Sequence, residues 1–199
     1  MKDAGSFDRA ALERLFERLG LLLDAERREA AIVVVGGAAL SLLGVVERRT
    51  VDIDVIATGR VAGGKPPREL IVPAVLPPEI AESVARLARD LGLPPGWMNA
   101  TVTTGGTMAL PSGFAERVIW RRYGGLWLGI AGRPDLIALK LHAAVDTDVR
   151  SRHFSDLLAL RPTRGDLQTA GEWVRGQDAG PEFNRLVTEV IDHVLARSS

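Results

Sequence analysis

The sequence predicts an α+β fold: a mixed α/β sheet flanked by helices, followed by a helical C-terminal part. Three observations predict it. Residues 7–57 run helix, strand, helix, strand; further strand-like runs lie between 100 and 130; and beyond Pro134 only helical periodicity is left. The expected division is a core over 1–132, carrying a Gly/Pro-rich loop at 58–78, and a helical part over 133–199. With 199 residues, 46% of them hydrophobic, the chain is long enough to bury a core.

Over residues 7–28, Leu12, Leu15, Phe16, Leu19, Leu22 and Leu23 recur at helical spacing between arginines and glutamates, which predicts an amphipathic helix. Residues 31–35, Ala-Ile-Val-Val-Val, form a β-branched run too short for a buried helix, and Gly36-Gly37 ends it, so it reads as a central strand. A short helix follows at 38–43, with Gly44 to end it. Residues 50–57 alternate as a second strand, Val51, Ile53 and Val55 on one face and Asp52 and Asp54 on the other. The stretch 58–78, around Gly63-Gly64-Lys65-Pro66-Pro67, predicts a loop or lid with one short strand at 70–72. Pro78 opens a helix whose stripe is Ile80, Val84, Leu87 and Leu91 and which Gly92 closes. Strands are expected at 100–104, 117–123 and 126–130, the last two as a hairpin around Gly124-Gly125. Helices are expected at 134–145, 152–160, 166–175 and 181–196.

Composition narrows the chemistry. There is no cysteine and there are only three histidines, which excludes disulfides, thiolate metal sites and a zinc cluster, so any metal must be hard and held by oxygen. The 25 acidic and 25 basic residues balance, leaving no global field to attract nucleic acid. Only Lys2, Lys65 and Lys140 are lysines, so a lysine in an ordered element stands out. No run approaches the roughly 18 uncharged apolar residues of a membrane span, and the start lacks the features of a secretory signal, so a cytoplasmic protein with no membrane partner is expected. P-loop and Rossmann glycine patterns, a Gly-x-Ser-x-Gly elbow and a His-Glu-x-x-His helix are all missing, and kinase and hydrolase readings lack support.

Two carboxylates one residue apart on a strand stand about 6–7 Å apart along the backbone and point the same way. Asp52 and Asp54 can therefore share a metal, and such a pair suits Mg²⁺, which takes one or two carboxylates together with water and substrate phosphates. Taken alone, the pair reads first as a solvated strand face, since such tripeptides are common, although strands deplete aspartate. Gly36 and Gly37, between a strand and a helix, let backbone N–H groups approach an anion with no side chain in the way, although a tight turn needs glycine in any case. In combination, with Asp52 only 15 residues after Gly37, the two features point to phosphate and metal in one compact unit.

That unit, Val33-Val34-Val35-Gly36-Gly37 followed by Asp52-Ile53-Asp54, resembles the polymerase-β-like nucleotidyltransferase superfamily. A second stretch runs from Pro134-Asp135-Leu136-Ile137-Ala138-Leu139-Lys140-Leu141 through Asp146 and Asp148 to Phe154-Ser155-Asp156-Leu157-Leu158. It resembles the AbiEii-type toxin branch, including the MenT-like mycobacterial toxins. The resemblance implies a nucleotidyltransferase-type sheet and transfer of a nucleoside monophosphate from an NTP, with Mg²⁺ held by Asp52 and Asp54. It further implies the 3′ end of tRNA as acceptor, blocked aminoacylation, and a cognate antitoxin as partner. Gly36, Gly37 and Lys140 would contact phosphates: a flexible point charge suits a triphosphate, the alternative being a lysine that snorkels to water. Asp156 would accept the acceptor's proton or orient Lys140, the alternative being an ion pair with Arg152. The third carboxylate of many family members has no counterpart at 100–104 or 118–130, where Glu116 is the nearest substitute.

For the acceptor, Arg121 and Arg122, with Arg117, Trp120 and Tyr123, interleave cations and aromatics as a single-stranded RNA end requires, or form an exposed hairpin and nothing more. Arg150, Arg152, Arg161 and Arg164 can add to such a face. Two rivals follow: nucleotidyl transfer to a small molecule or a protein, and a non-catalytic nucleotide-binding regulatory module. The second ranks lower because both carboxylates are present.

Overall fold

The computed structural model describes residues 5–101, 108–145, 147 and 151–198. The chain forms two compact units, Met1–Thr107 with Ala115–Ala131, and Met108–Phe114 with Gly132–Ser199. In chain order the elements are α1 (Arg9–Ala25), β1 (Ala30–Val34), α2 (Gly36–Leu42), β2 (Ile53–Gly59), α3 (Pro78–Leu91), β3 (Met98–Asn99), α4 (Phe114–Arg117), β4 (Ile119–Tyr123), β5 (Leu126–Ile130), α5 (Arg133–Val145), α6 (Arg152–Ala159), α7 (Arg164–Arg175) and α8 (Pro181–Ser198). The predicted α+β class, a mixed sheet flanked by helices with a helical C-terminal part, is the one observed.

The first unit is built on a five-stranded sheet of order β3-β2-β1-β5-β4. β1 runs antiparallel to β2 and parallel to β5, β2 is parallel to β3, and β4 and β5 form the antiparallel hairpin. As the central strand β1 is covered on both faces, with Ile32, Val33 and Val34 at 0% exposure, which is why it reads as an unbroken β-branched run. Between β1 and β2 the register passes from Val33↔Ala57 to Val34↔Val55, leaving Ile56 as the extra residue of a bulge just past the Asp-x-Asp segment. Helix α1, capped where the Asp8 carboxylate accepts the Ala11 N–H at 2.8 Å, buries Leu12, Leu15, Phe16, Leu19 and Leu23, and packs against α2, α3 and the hairpin.

Several boundaries differ from expectation, each for a local reason. The second strand begins at Ile53, not at 50, because Thr50 pairs instead with Phe7 and leaves Val51 53% exposed, off the predicted inner face. Helix α2 starts at Gly36, two residues early. Arg117 belongs to α4, so the hairpin's first strand starts at Ile119. The strand expected at 100–104 is Met98–Asn99; Asn99 Oδ1 accepts the Thr101 N–H at 3.0 Å and turns the chain away, while 102–104 lie outside the described residues. Within 58–78, Ile71 exchanges two backbone bonds with Thr58 (2.8 and 2.9 Å), a single bridge where a strand over 70–72 was expected, and Pro67 and Pro73 are buried.

In the second unit α5 packs against α6, α7 and α8, around Leu136, Ile137, Leu141, Phe154, Leu157, Leu167, Val174, Val187 and Val194. Ser151 caps α6, and Thr163 with Asp166 closes a reciprocal capping box on α7. Arg133 bonds the Leu160 and Arg161 carbonyls at 3.1 and 2.7 Å and the Asp166 carboxylate at 3.1 Å, tying the end of α6 to the start of α7. Among the described residues no helix is long and apolar enough to cross a membrane.

Candidate functional site

The turn after β1 carries the first half of the predicted site. Backbone pairing continues one residue beyond the strand, where the Val35 N–H donates to the Asp54 carbonyl at 3.0 Å, so Asp54 lies beside the turn. Gly36 has φ +65°, which favours glycine, and the place of its missing Cβ is taken by Asp54 Oδ2. A side chain at 36 would meet the Asp54 carboxylate. At Gly37 the same position lies 2.7 Å from Thr50 Oγ1, 3.1 Å from Thr50 Cβ and 3.7 Å from an Arg48 guanidinium nitrogen. Gly36 is thus favoured by its left-handed φ as well as by close approach, and Gly37 by close approach alone. Asp52 and Asp54 are half-buried and alternate with Ile53 and Val55 at 0% exposure, so both stand off the core, but Asp52 precedes β2 and is not held by its ladder.

This donor set fits Mg²⁺. Two half-buried carboxylates beside a glycine turn supply the one or two oxygen ligands the ion takes from protein, its remaining ligands being water and phosphate oxygens. Among the described residues no group of three or more His, Cys, Asp or Glu side chains is arranged to hold a metal, so a closed all-protein cage is not what the residues form.

Lys140 and Asp156 lie in the second unit, on α5 and α6, and are brought together. Lys140 Nζ is 2.8 Å from Asp156 Oδ2, with the side chains 8% and 2% exposed. The lysine does not snorkel to water, and the aspartate's ion pair is with this lysine, two helices meeting where the sequence suggested a single-helix partner at Arg152. Pairing at this distance offsets part of the cost of taking the two groups out of water.

Arg121 and Arg122 are not brought together as one basic surface. Adjacent on β4, they point to opposite faces, and each is engaged by an acid. Arg121 lies 2.7 Å from Glu13 of α1 and donates to the Leu42 carbonyl, while the Tyr123 hydroxyl donates to the other Glu13 oxygen. Burial, then the bond to Glu13, pushes the Tyr123 phenol up from its ordinary value. Arg122 pairs with Glu29 at 3.3 Å, donates to the Gly124 carbonyl and lies over the Trp127 ring at 5.3 Å. These contacts fasten the hairpin to α1 and to the start of β1.

No motif in the sequence singles out Thr50, Arg48 or Phe7 as part of the site. The signal for Thr50 was present, a hydroxyl residue two positions before Asp52, since Thr side chains readily bond nearby backbone. The Phe7 contact spans more than forty residues and has no local signature.

No curated protein and no solved structure matches the chain significantly. A family described as nucleotidyltransferase of unknown function, DUF6036, matches residues 10–160, a stretch that contains Gly36, Gly37, Asp52, Asp54, Lys140 and Asp156. With the matched region covering most of the chain and the glycine turn set directly against the Asp-x-Asp segment, this protein belongs to that family of nucleotidyltransferases.

Proposed function

We propose that the protein is a toxin of the AbiEii-type, MenT-like branch, which moves a nucleoside monophosphate from an NTP to the 3′ end of tRNA and so blocks aminoacylation, with a cognate antitoxin to restrain it. The observation that carries the site is Asp54 Oδ2 packed against Gly36, with Asp52 on the same segment. In this reading Asp52 and Asp54 hold Mg²⁺, which when bound offsets the charge that develops on the phosphate oxygens. Gly36 and Gly37 admit a phosphate to the backbone. Lys140 neutralises triphosphate charge, and Asp156, bonded to it, fixes where the ammonium sits. The acceptor oxygen attacks the α-phosphorus, a new O–P bond forms, the bond to pyrophosphate breaks, and the acceptor's proton leaves to a base. Asp156 can serve as that base only when released by Lys140, so orienting the lysine is its primary role.

A second reading has its own support. Arg121 and Arg122 are occupied by Glu13 and Glu29, and the chain carries no net charge, both of which favour a small-molecule or protein acceptor over RNA. The test offers labelled NTPs with Mg²⁺ to tRNA, to total protein and to pooled metabolites. Label at the tRNA 3′ end is the expected result. Label in another acceptor overturns the tRNA assignment, and NTP binding with no transfer to any of them leaves the regulatory-module reading.

A further inference from the structure

We infer that Thr50 is a positioning residue of the transfer site, its hydroxyl holding the Asp52 backbone and its body propping Gly37. The inference rests on the reading of Asp52 and Asp54 as the metal-holding pair. Asp52 lies one residue before β2, so no strand ladder orients it. Its carbonyl instead accepts the Thr50 hydroxyl at 3.1 Å, and on the next residue the Ile53 N–H donates to the Trp97 carbonyl at 2.8 Å. Thr50 is itself clamped: it exchanges two backbone bonds with Phe7, 2.6 and 2.9 Å, and is 5% exposed. Phe7 then meets Trp97 edge-on, the ring centroids 6.3 Å apart and the planes at 70°.

The contacts close a ring, from Phe7 to Thr50, to Asp52 and Ile53, to Trp97, and back to Phe7. Asp52 is the half-buried member, and Phe7, Thr50, Ile53 and Trp97 are buried. A carboxylate outside its strand is free to turn unless its backbone is held on both sides, and this ring holds it. The same threonine approaches Gly37, with Oγ1 2.7 Å from the glycine's Cβ position, so one side chain sets both the carboxylate and the turn that faces phosphate.

The two roles of Thr50 separate by substitution. Thr50→Val keeps the branched shape and the Phe7 bridge and removes only the donor; Thr50→Ser keeps the donor and removes a methyl. Outer-layer groups that orient metal ligands typically matter by about 10- to 100-fold in metal affinity or activity. Thr50→Val should therefore lower kcat on that order with little change in KM for NTP. It should also weaken Mn²⁺ binding, read by electron paramagnetic resonance of the free ion without turnover. Thr50→Ser should stay within about threefold of the parent, as expected if the hydroxyl carries the effect. Thr50→Val matching the parent in kcat and Mn²⁺ affinity overturns the inference, as does Thr50→Ser as impaired as Thr50→Val. A parent that neither binds Mn²⁺ nor transfers nucleotide removes the reading beneath and the inference with it, an outcome distinct from an active parent indifferent to Thr50.

Discussion

Gly36 and Asp54 define each other: the carboxylate oxygen occupies the space a Cβ would need, and the left-handed φ allows the turn to pass beneath it. Asp52→Asn and Asp54→Asn should abolish nucleotidyl transfer while leaving thermal unfolding within a few degrees of the parent, because each alters a half-buried polar group and no core side chain. Transfer assays beside circular-dichroism melts check this, and full activity in either variant rejects the metal pair. Lys140 carries a different cost. Its ammonium is buried against Asp156, so Lys140→Ala breaks a buried ion pair and should destabilise the fold by about 3–5 kcal/mol in denaturant titration. Replacing both partners, Lys140→Met with Asp156→Leu, should recover most of that stability and none of the activity. If the double variant is both stable and active, the pair is structural alone.

At the scale of elements, helix ends and strand irregularities set the positions. The bulge at Ile56 shifts the pairing by one residue, so that Asp54 lies opposite Val35 where an unbroken register would set it opposite Gly36, and the Asp54 carboxylate meets the start of α2. In the second unit α7 depends on its cap. Thr163 Oγ1 accepts the Asp166 N–H at 3.1 Å, and Asp166 Oδ2 accepts the Thr163 N–H at 2.9 Å. Thr163→Ala should cost about 1 kcal/mol. The Thr163 backbone bond is the main reason the Asp166 carboxyl lies below its ordinary value of 3.8; partial burial opposes it, and the Thr163 hydroxyl and Arg133 add to it. The lowered folded value means that the stabilisation is complete above the ordinary value and disappears as pH falls through the lower one. Asp166→Asn should therefore be less stable than the parent at pH 7, the gap closing below about pH 4. Denaturation midpoints across that range measure it, and a constant gap contradicts the assignment.

For the molecule as a whole, balanced charge matters more than any single arginine. With 25 acids and 25 bases, cations on the hairpin are drawn into pairs with neighbouring carboxylates instead of forming a continuous field. Arg121→Gln with Arg122→Gln should lower the melting temperature through the lost contacts to Glu13, Leu42, Glu29 and Gly124, and leave the salt dependence of tRNA binding unchanged. NTP affinity should survive, since Gly37, Asp52, Asp54 and Lys140 lie outside β4. A flattened salt slope in the double variant would return these two arginines to the acceptor surface.

The α+β class, the glycine turn, the Asp-x-Asp segment and the four C-terminal helices were legible in the sequence because each is written in local periodicity, capping residues or a short motif. Gly36, Gly37, Asp52 and Asp54 fall within residues 36–54, close enough in sequence for the motif to be visible, while the pairing of β1 with β2 sets Asp54 against Gly36. What joins Thr50 to Phe7, Lys140 to Asp156, Arg121 to Glu13 and Arg122 to Glu29 is tertiary, because these partners sit on separate elements and no helical or strand period relates them. Their charges and hydrogen-bonding groups are common to many exposed side chains, and only the packing that buries or pairs them determines whether they serve the site or the fold.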